Sequence, residues 1–208
     1  MYSRRIAVNI VKPPELLTLL RANDTPICKY LSISLLSIAG EGMTQLSEKQ
    51  RPGRDMGFGA LAVIVVAAAS VAGQLATYPN LEPWYAGLAK PSFNPPNWIF
   101  APVWTTLFIL MAFSVWRILR LPRTSARRMA LALFFIQLAL NAAWSWMFFA
   151  AHSPPLGMIN IVPQWLIIIA TIVAFYRLDK IAAWCLFPLA AWVAFAGVLN
   201  LAIWRLNN

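Results

Sequence analysis

The chain has 208 residues, 60% of them hydrophobic and only 12% charged, with a formal net charge of +10 and a mean hydropathy of +0.65. That composition sets aside an ordinary water-soluble domain and makes a lipid bilayer the working solvent. Two cysteines and one histidine offer no metal-ligand spacing, and with His152 just outside an apolar run and no acid or base within the runs, a Ser-His-Asp triad there has no candidates; the basic residues flank the runs instead of forming a folded basic domain, which argues against nucleic-acid binding.

Residues 1–55 differ from the rest. They hold five of the seven acids, eight bases and no tryptophan, with breakers at Pro13-Pro14, Pro26 and Pro52-Gly53, and read as a flexible cytoplasmic tail. The apolar run Tyr30 to Gly40 is too short to span a bilayer, and as a signal h-region it would follow an abnormally long, charged n-region. Gly40-Glu41-Gly42 requires purine-rich codons resembling a ribosome-binding site just before Met43, which offers Met43, or else Met56, as an alternative start. Residues 56–208 form the membrane domain proper.

A hydrocarbon core of about 30 Å needs roughly 20 residues of helix. Five apolar segments meet that length: Gly57 to Thr77, Trp98 to Trp116, Met129 to Ala151, Leu156 to Tyr176 and Ile181 to Trp204. With five spans, the tail, the second loop and the fourth loop share one side, and that side carries fifteen of the seventeen basic residues. The positive-inside rule then places the N-terminus in the cytoplasm and the C-terminus outside, given the expected insertion in a bacterial inner membrane rather than an outer one. Cys28 falls in the tail and Cys185 in the fifth span, so no disulfide between them is expected.

The first outside loop runs into the second span as "WYAGLAKPSFNPPNWIFAPVW", Trp84 to Trp104. Pro91, Pro95 and Pro96 stiffen it without regular structure, while Trp84, Tyr85, Phe93 and Trp98 give it apolar faces that water disfavours. Such a loop should fold down over the bundle as a lid.

Polar residues recur at helical spacing within the spans. Gln74 and Asn200 read as hydrogen-bonding partners between helices, whereas Gln137 and Asn141 fit packing and ligand contact equally well. Asn160, Gln164 and Thr171 form the stripe of the fourth span. Pro102, Pro163 and Pro188 are tolerated kinks, and Ala190, Ala191, Ala194, Ala196 and Gly197 let the fifth span approach its neighbours or leave room for a flat ligand. Trp98, Trp116, Trp184 and Trp204 suit an interfacial belt. Trp104, Trp144 and Trp192 lie deeper; an aromatic stripe reads first as core, and second as a wall for a planar guest.

The pattern W84-Y85-x-x-L88-x-K90-P91-S92-F93-x-P95-P96-x-W98-x-F100-x-x-V103-W104-T105 resembles the signature of the TspO/MBR family, the tryptophan-rich sensory proteins related to the mitochondrial translocator protein. Gln137 to Ser145 resembles that family's third helix and Pro188 to Arg205 its fifth, so the resemblance is colinear over about residues 57 to 206. It implies an all-α bundle of five transmembrane helices, usually homodimeric, with an ordered first loop over a cavity that binds porphyrins such as protoporphyrin IX. No bound cofactor is expected, and the Cys and His content gives no metal site. Carried over residue by residue, the ligand positions are Tyr85, Pro91, Trp104, Asn141, Trp144, Trp192 and Ala196. Trp104 and Trp192 match tryptophans that some bacterial members are proposed to use in oxidative porphyrin breakdown.

Two departures are visible. Asn160 stands where many relatives have an aspartate, and Leu201, not tyrosine, follows Asn200, which breaks the animal cholesterol motif and counts against sterol binding. The reading is a membrane receptor or translocator for a tetrapyrrole or similar planar apolar molecule. The alternatives are a light- and oxygen-dependent porphyrin-degrading enzyme, and a regulator acting through a partner protein at the basic second loop.

Overall fold

The computed structural model describes residues 52–208; most of the expected tail, with the readings made for Tyr30 to Gly40 and for Met43, lies outside the described residues. All regular structure among the described residues is helical: α1 Pro52–Thr77, α2 Asn97–Leu119, α3 Ser125–Ser145, α4 Pro154–Tyr176, α5 Lys180–Trp184 and α6 Phe187–Leu206. These make five helical stretches long and apolar enough to cross a membrane, the fifth formed by α5 and α6 together. The five expected spans are therefore present in order.

Local sequence sets the helix starts. The hydroxyl of Thr124 accepts from the Arg127 N–H at 3.1 Å to cap α3, and the Asp179 carboxylate accepts from the Ala182 N–H at 3.1 Å to cap α5. Ser153 precedes Pro154 and Pro155 at the start of α4, where the missing proline N–H groups had no helical partner to lose. Pro188 behaves the same way. It was expected as a kink within a continuous span; instead the helix stops at Trp184, turns through Cys185 and Leu186, and restarts with Pro188 in its first turn. Beyond Ser145, α3 runs on through Trp146–Ala150 as a wider π-type turn.

The best-packed part of the bundle joins α3, α4 and α6, with α5 and α2 closing it at one end. Phe134 of α3 stacks on Phe175 of α4 at 5.9 Å, with Met111, Ile118, Ile168 and Leu186 fully buried around them. The Ser114 hydroxyl donates to the Ala182 carbonyl at 2.7 Å, and the small Ala182 and Ala183 allow α5 that close to α2. Of the small residues expected to pack on the last helix, Ala190 is buried and Gly197 faces Ile161, but Ala191 and Ala194 point outward.

Charge is segregated by end. Arg117, Arg120, Arg123, Arg127, Arg128, Arg177 and Lys180 gather at the basic end, where the α2–α3 and α4–α5 turns lie side by side through an Arg117–Asp179 ion pair at 2.8 Å. Lys90 and Arg205 sit at the opposite, loop end.

Helix α1 stands apart from this packing. It makes no extended close approach to any other helix, and its attachments are few and local. At the basic end Asp55 pairs with Arg120 at 3.1 Å, and the Asp55 carbonyl accepts from the Trp116 indole at 3.3 Å. Ala62 and Val66 are buried in its lower half. Higher up, Trp146 donates to the Ala72 carbonyl at 3.0 Å, and Gly73 lies so near Ser145 that a Cβ there would be 3.2 Å from its hydroxyl.

Candidate functional site

The space that α1 leaves open is a cavity of about 840 Å³ between α1, α2, the end of α3, and α6. Its walls follow helical spacing. On α1 they are small or uncharged, from Gly59 through Ala67, Ser70 and Gly73 to Gln74; on α2 they are largely aromatic, with Phe100, Trp104, Phe108, Ala112 and Trp116 each four residues from the next. The inner wall combines Asn141, Trp144 and Phe148 of the third span with Ala196, Leu199 and Asn200 of α6. At the loop end Tyr85 joins it, its side chain buried against Phe148 and Phe149.

The outer side is open. Ala67 and Gln74 on α1, and Ala101, Thr105 and Ile109 on α2, line the cavity and are still exposed, so the mouth faces sideways, where acyl chains would lie. Gln74, expected to bond between helices, does not: its amide donates to Ser70 of its own helix at 2.9 Å, because α1 has no neighbour on that face to receive it.

The inner wall is apolar apart from three groups. Trp144 stacks on Phe148 at 5.0 Å, and its Nε1 has no hydrogen-bond partner within the protein. Asn141 Nδ2 and Asn200 Oδ1 are also unpartnered, while Asn200 Nδ2 donates to the Pro154 carbonyl at 2.8 Å and ties α6 to the start of α4. Each unpartnered buried group costs about 1–3 kcal/mol unless water or a guest bonds to it. The arrangement can therefore take a flat apolar body edged by a few hydrogen-bonding atoms. It holds no titratable group except the Tyr85 and Tyr78 phenols, so proton chemistry from the wall has little to work with.

Among the residues singled out from sequence, Tyr85, Trp104, Asn141, Trp144 and Ala196 share this cavity. Two do not. Trp192 is half-buried outside the lining, and it meets the cavity wall through Phe100, whose ring packs edge-on against it at 5.8 Å. Pro91 lies in the loop, its carbonyl accepting from the Asn94 N–H at 2.9 Å, and does not reach the lining. Sequence reasoning passed over Phe108 and Gly59, although the i, i+4 row from Trp104 through Phe108 and Ala112 to Trp116 was available to find the first of them.

The loop between the first two spans is pinned at both flanks. Trp84 stacks on His152 at 4.7 Å and meets Phe148 and Phe149 edge-on, while His152 Nε2 bonds to Asn80 Oδ1 at 2.8 Å. On the other side, Ala89 is bonded to Asn207 beyond α6.

Comparison with known proteins agrees with this architecture. The chain is 40% identical over 149 residues to the tryptophan-rich protein TspO of Chlorobaculum tepidum, covering 71% of this chain and 94% of that one. It is 38% identical to the protein of the same name from Archaeoglobus fulgidus, over 70% of this chain and 94% of that one. Against the human translocator protein it is 40% identical over 60% of this chain and 75% of the other. Residues 61–205 match the TspO/MBR family. The chain is thus an integral, multi-pass membrane protein with five candidate spans, and it belongs to the TspO/MBR family.

Proposed function

We propose that the protein binds a planar, largely apolar molecule of the tetrapyrrole type in the cavity between α1 and α2. One observation carries this reading: an 840 Å³ space walled on one side by Phe100, Trp104, Phe108 and Trp144 and on the other by small α1 residues. The volume falls in the range of small-molecule sites, about 300–1,000 Å³. Indole and phenyl faces stack on a macrocycle, and the unpartnered Trp144 and Asn141 donors suit acceptor atoms at its edge. The sideways mouth supports a guest that partitions into lipid. On this reading the first loop is the lid at one end, and the basic end faces the cytoplasm.

Titration with protoporphyrin IX, read by tryptophan fluorescence, tests it. Quenching should saturate, and Trp104→Phe and Trp144→Phe should each remove part of the quenched signal. Trp98→Phe should not, since Trp98 is 74% exposed and away from the lining. Quenching that rises linearly without saturation, or that is equal in all three variants, refutes the site.

A further inference from the structure

Helix α6 lines the cavity with Ala196, Leu199, Asn200 and Ile203, and the same stripe, continued one more turn, arrives at Asn207. Asn207 caps the helix, its N–H donating to the Ile203 and Trp204 carbonyls. Its side chain does something else. Oδ1 accepts from the Ala89 N–H at 2.9 Å, while Nδ2 donates to the Ala89 carbonyl at 2.9 Å and to the Ile203 carbonyl at 2.7 Å. A single amide thus satisfies both backbone groups of one loop residue, as a paired strand would.

The rest of the loop offers no equivalent. From Leu88 to Pro95 every other hydrogen bond of the described residues is local and reaches no further back than Tyr85. Those local bonds make the loop a unit: Lys90 Nζ donates to the Tyr85, Ala86 and Leu88 carbonyls and lies 4.6 Å over the Tyr85 ring. Lys90 follows Ala89 directly, so whatever holds Ala89 holds Tyr85, and Tyr85 is cavity wall. The other flank, at Trp84, is wedged among Phe148, Phe149 and His152. One side of the loop is fixed by ring packing, and the other by one exposed side chain.

We propose that Asn207 is a positioning residue that latches the first loop to the rim of the cavity, and that its release lets the loop swing on Trp84 and open the loop end of the cavity, a route for a guest additional to the sideways mouth. The inference rests on the cavity being the ligand site.

The test uses the full chain in detergent. Asn207→Leu keeps size and removes the hydrogen bonds, and because Asn207 is exposed the bundle should keep its melting temperature. Losing two hydrogen bonds should raise amide exchange of the peptide carrying Ala89 by roughly tenfold or more. Association and dissociation of protoporphyrin IX, followed by stopped-flow quenching, should speed up by a common factor, leaving affinity unchanged. Unaltered exchange at Ala89 overturns the latch. Faster exchange with unaltered pigment rates overturns its role as a gate. If the wild-type protein binds no pigment, the proposed function fails, and exchange at Ala89 still decides the latch.

Discussion

Gly157, on the first turns of α4, is where three cavity-wall residues come together. A Cβ built there would sit 2.5 Å from Asn200 Oδ1, 3.0 Å from Phe148 Cδ2 and 3.3 Å from Trp144 Nε1. Gly157→Ala sets opposing effects against each other. Removing glycine from a helix interior favours the helix by about 1 kcal/mol. Overpacking a closed interior costs about 1–3 kcal/mol, and turning Asn200 aside loses its bond to the Pro154 carbonyl, about 1 kcal/mol more. The atoms met first are a side-chain amide and two large rings locked by stacking, so they cannot simply swing away, and the net should be a loss of about 1–3 kcal/mol. Equilibrium unfolding in detergent measures it. Gly57→Ala supplies the reference, since nothing lies within 4 Å of its Cβ position, and it should be neutral or slightly stabilising. The displaced rings can move only into the cavity, so protoporphyrin IX affinity should fall in parallel. A Gly157→Ala protein as stable as Gly57→Ala would refute the close approach of α4 to the cavity wall, and with it the account of how that wall is set.

The two ion pairs at the basic end should behave differently. Burial alone raises the Asp179 pKa, but the Arg117 hydrogen bond and charge, with the Ala182 and Ile181 N–H groups, outweigh it and hold the carboxyl below its usual range. A depressed pKa gives stability that is present above the unfolded value, about 3.9, and is lost as pH falls through the folded one. The wild-type melting temperature should therefore drop below about pH 4, while Asp179→Asn is less stable at neutral pH, by about 2 kcal/mol, and flatter across that window. The Asp55–Arg120 pair has side chains 38% and 41% exposed, so Asp55→Asn should cost less than about 1 kcal/mol and vanish in high salt, as melting curves at two ionic strengths would show. Trp84→Ala removes the wedge on His152, Phe148 and Phe149 and should cost about 2–3 kcal/mol while raising amide exchange throughout the loop; exchange confined to Ala89 would contradict its role as the fixed flank.

Length and hydropathy alone made the spans legible, because a bilayer demands the same apolar length whatever the tertiary contacts. Helical spacing also placed Asn141 and Trp144 together, one turn apart on one face. Spacing failed where the answer depends on what fills the space opposite. Trp192 is one turn from Ala196 and ought to share its view, but Phe100 stands in between. Gln74 looked like a partner for another helix, and no other helix is there. Pro188 carries no mark that separates a kink from a restart, since both use the same missing N–H. Asn207 pairs with a residue 118 positions away, and an asparagine after a helix reads from sequence only as a cap. Gly157 was silent for a related reason: its meaning lies in three side chains from two other helices.

The sparse seating of α1 bears on what the molecule can hold. A wall held in its lower half by Asp55, Ala62 and Val66 and again near Gly73, with no extended helix–helix interface along it, can bow or tilt at small cost in packing. The capacity of the site is then a distribution of widths, and each guest selects the fraction of molecules wide enough for it. Affinity across guests of increasing thickness should decline gradually, by the work of displacing one helix into fluid lipid, and not collapse at a steric limit. A stiffer or thicker bilayer would shift that distribution toward narrow forms, so the surrounding lipid itself enters the binding constant.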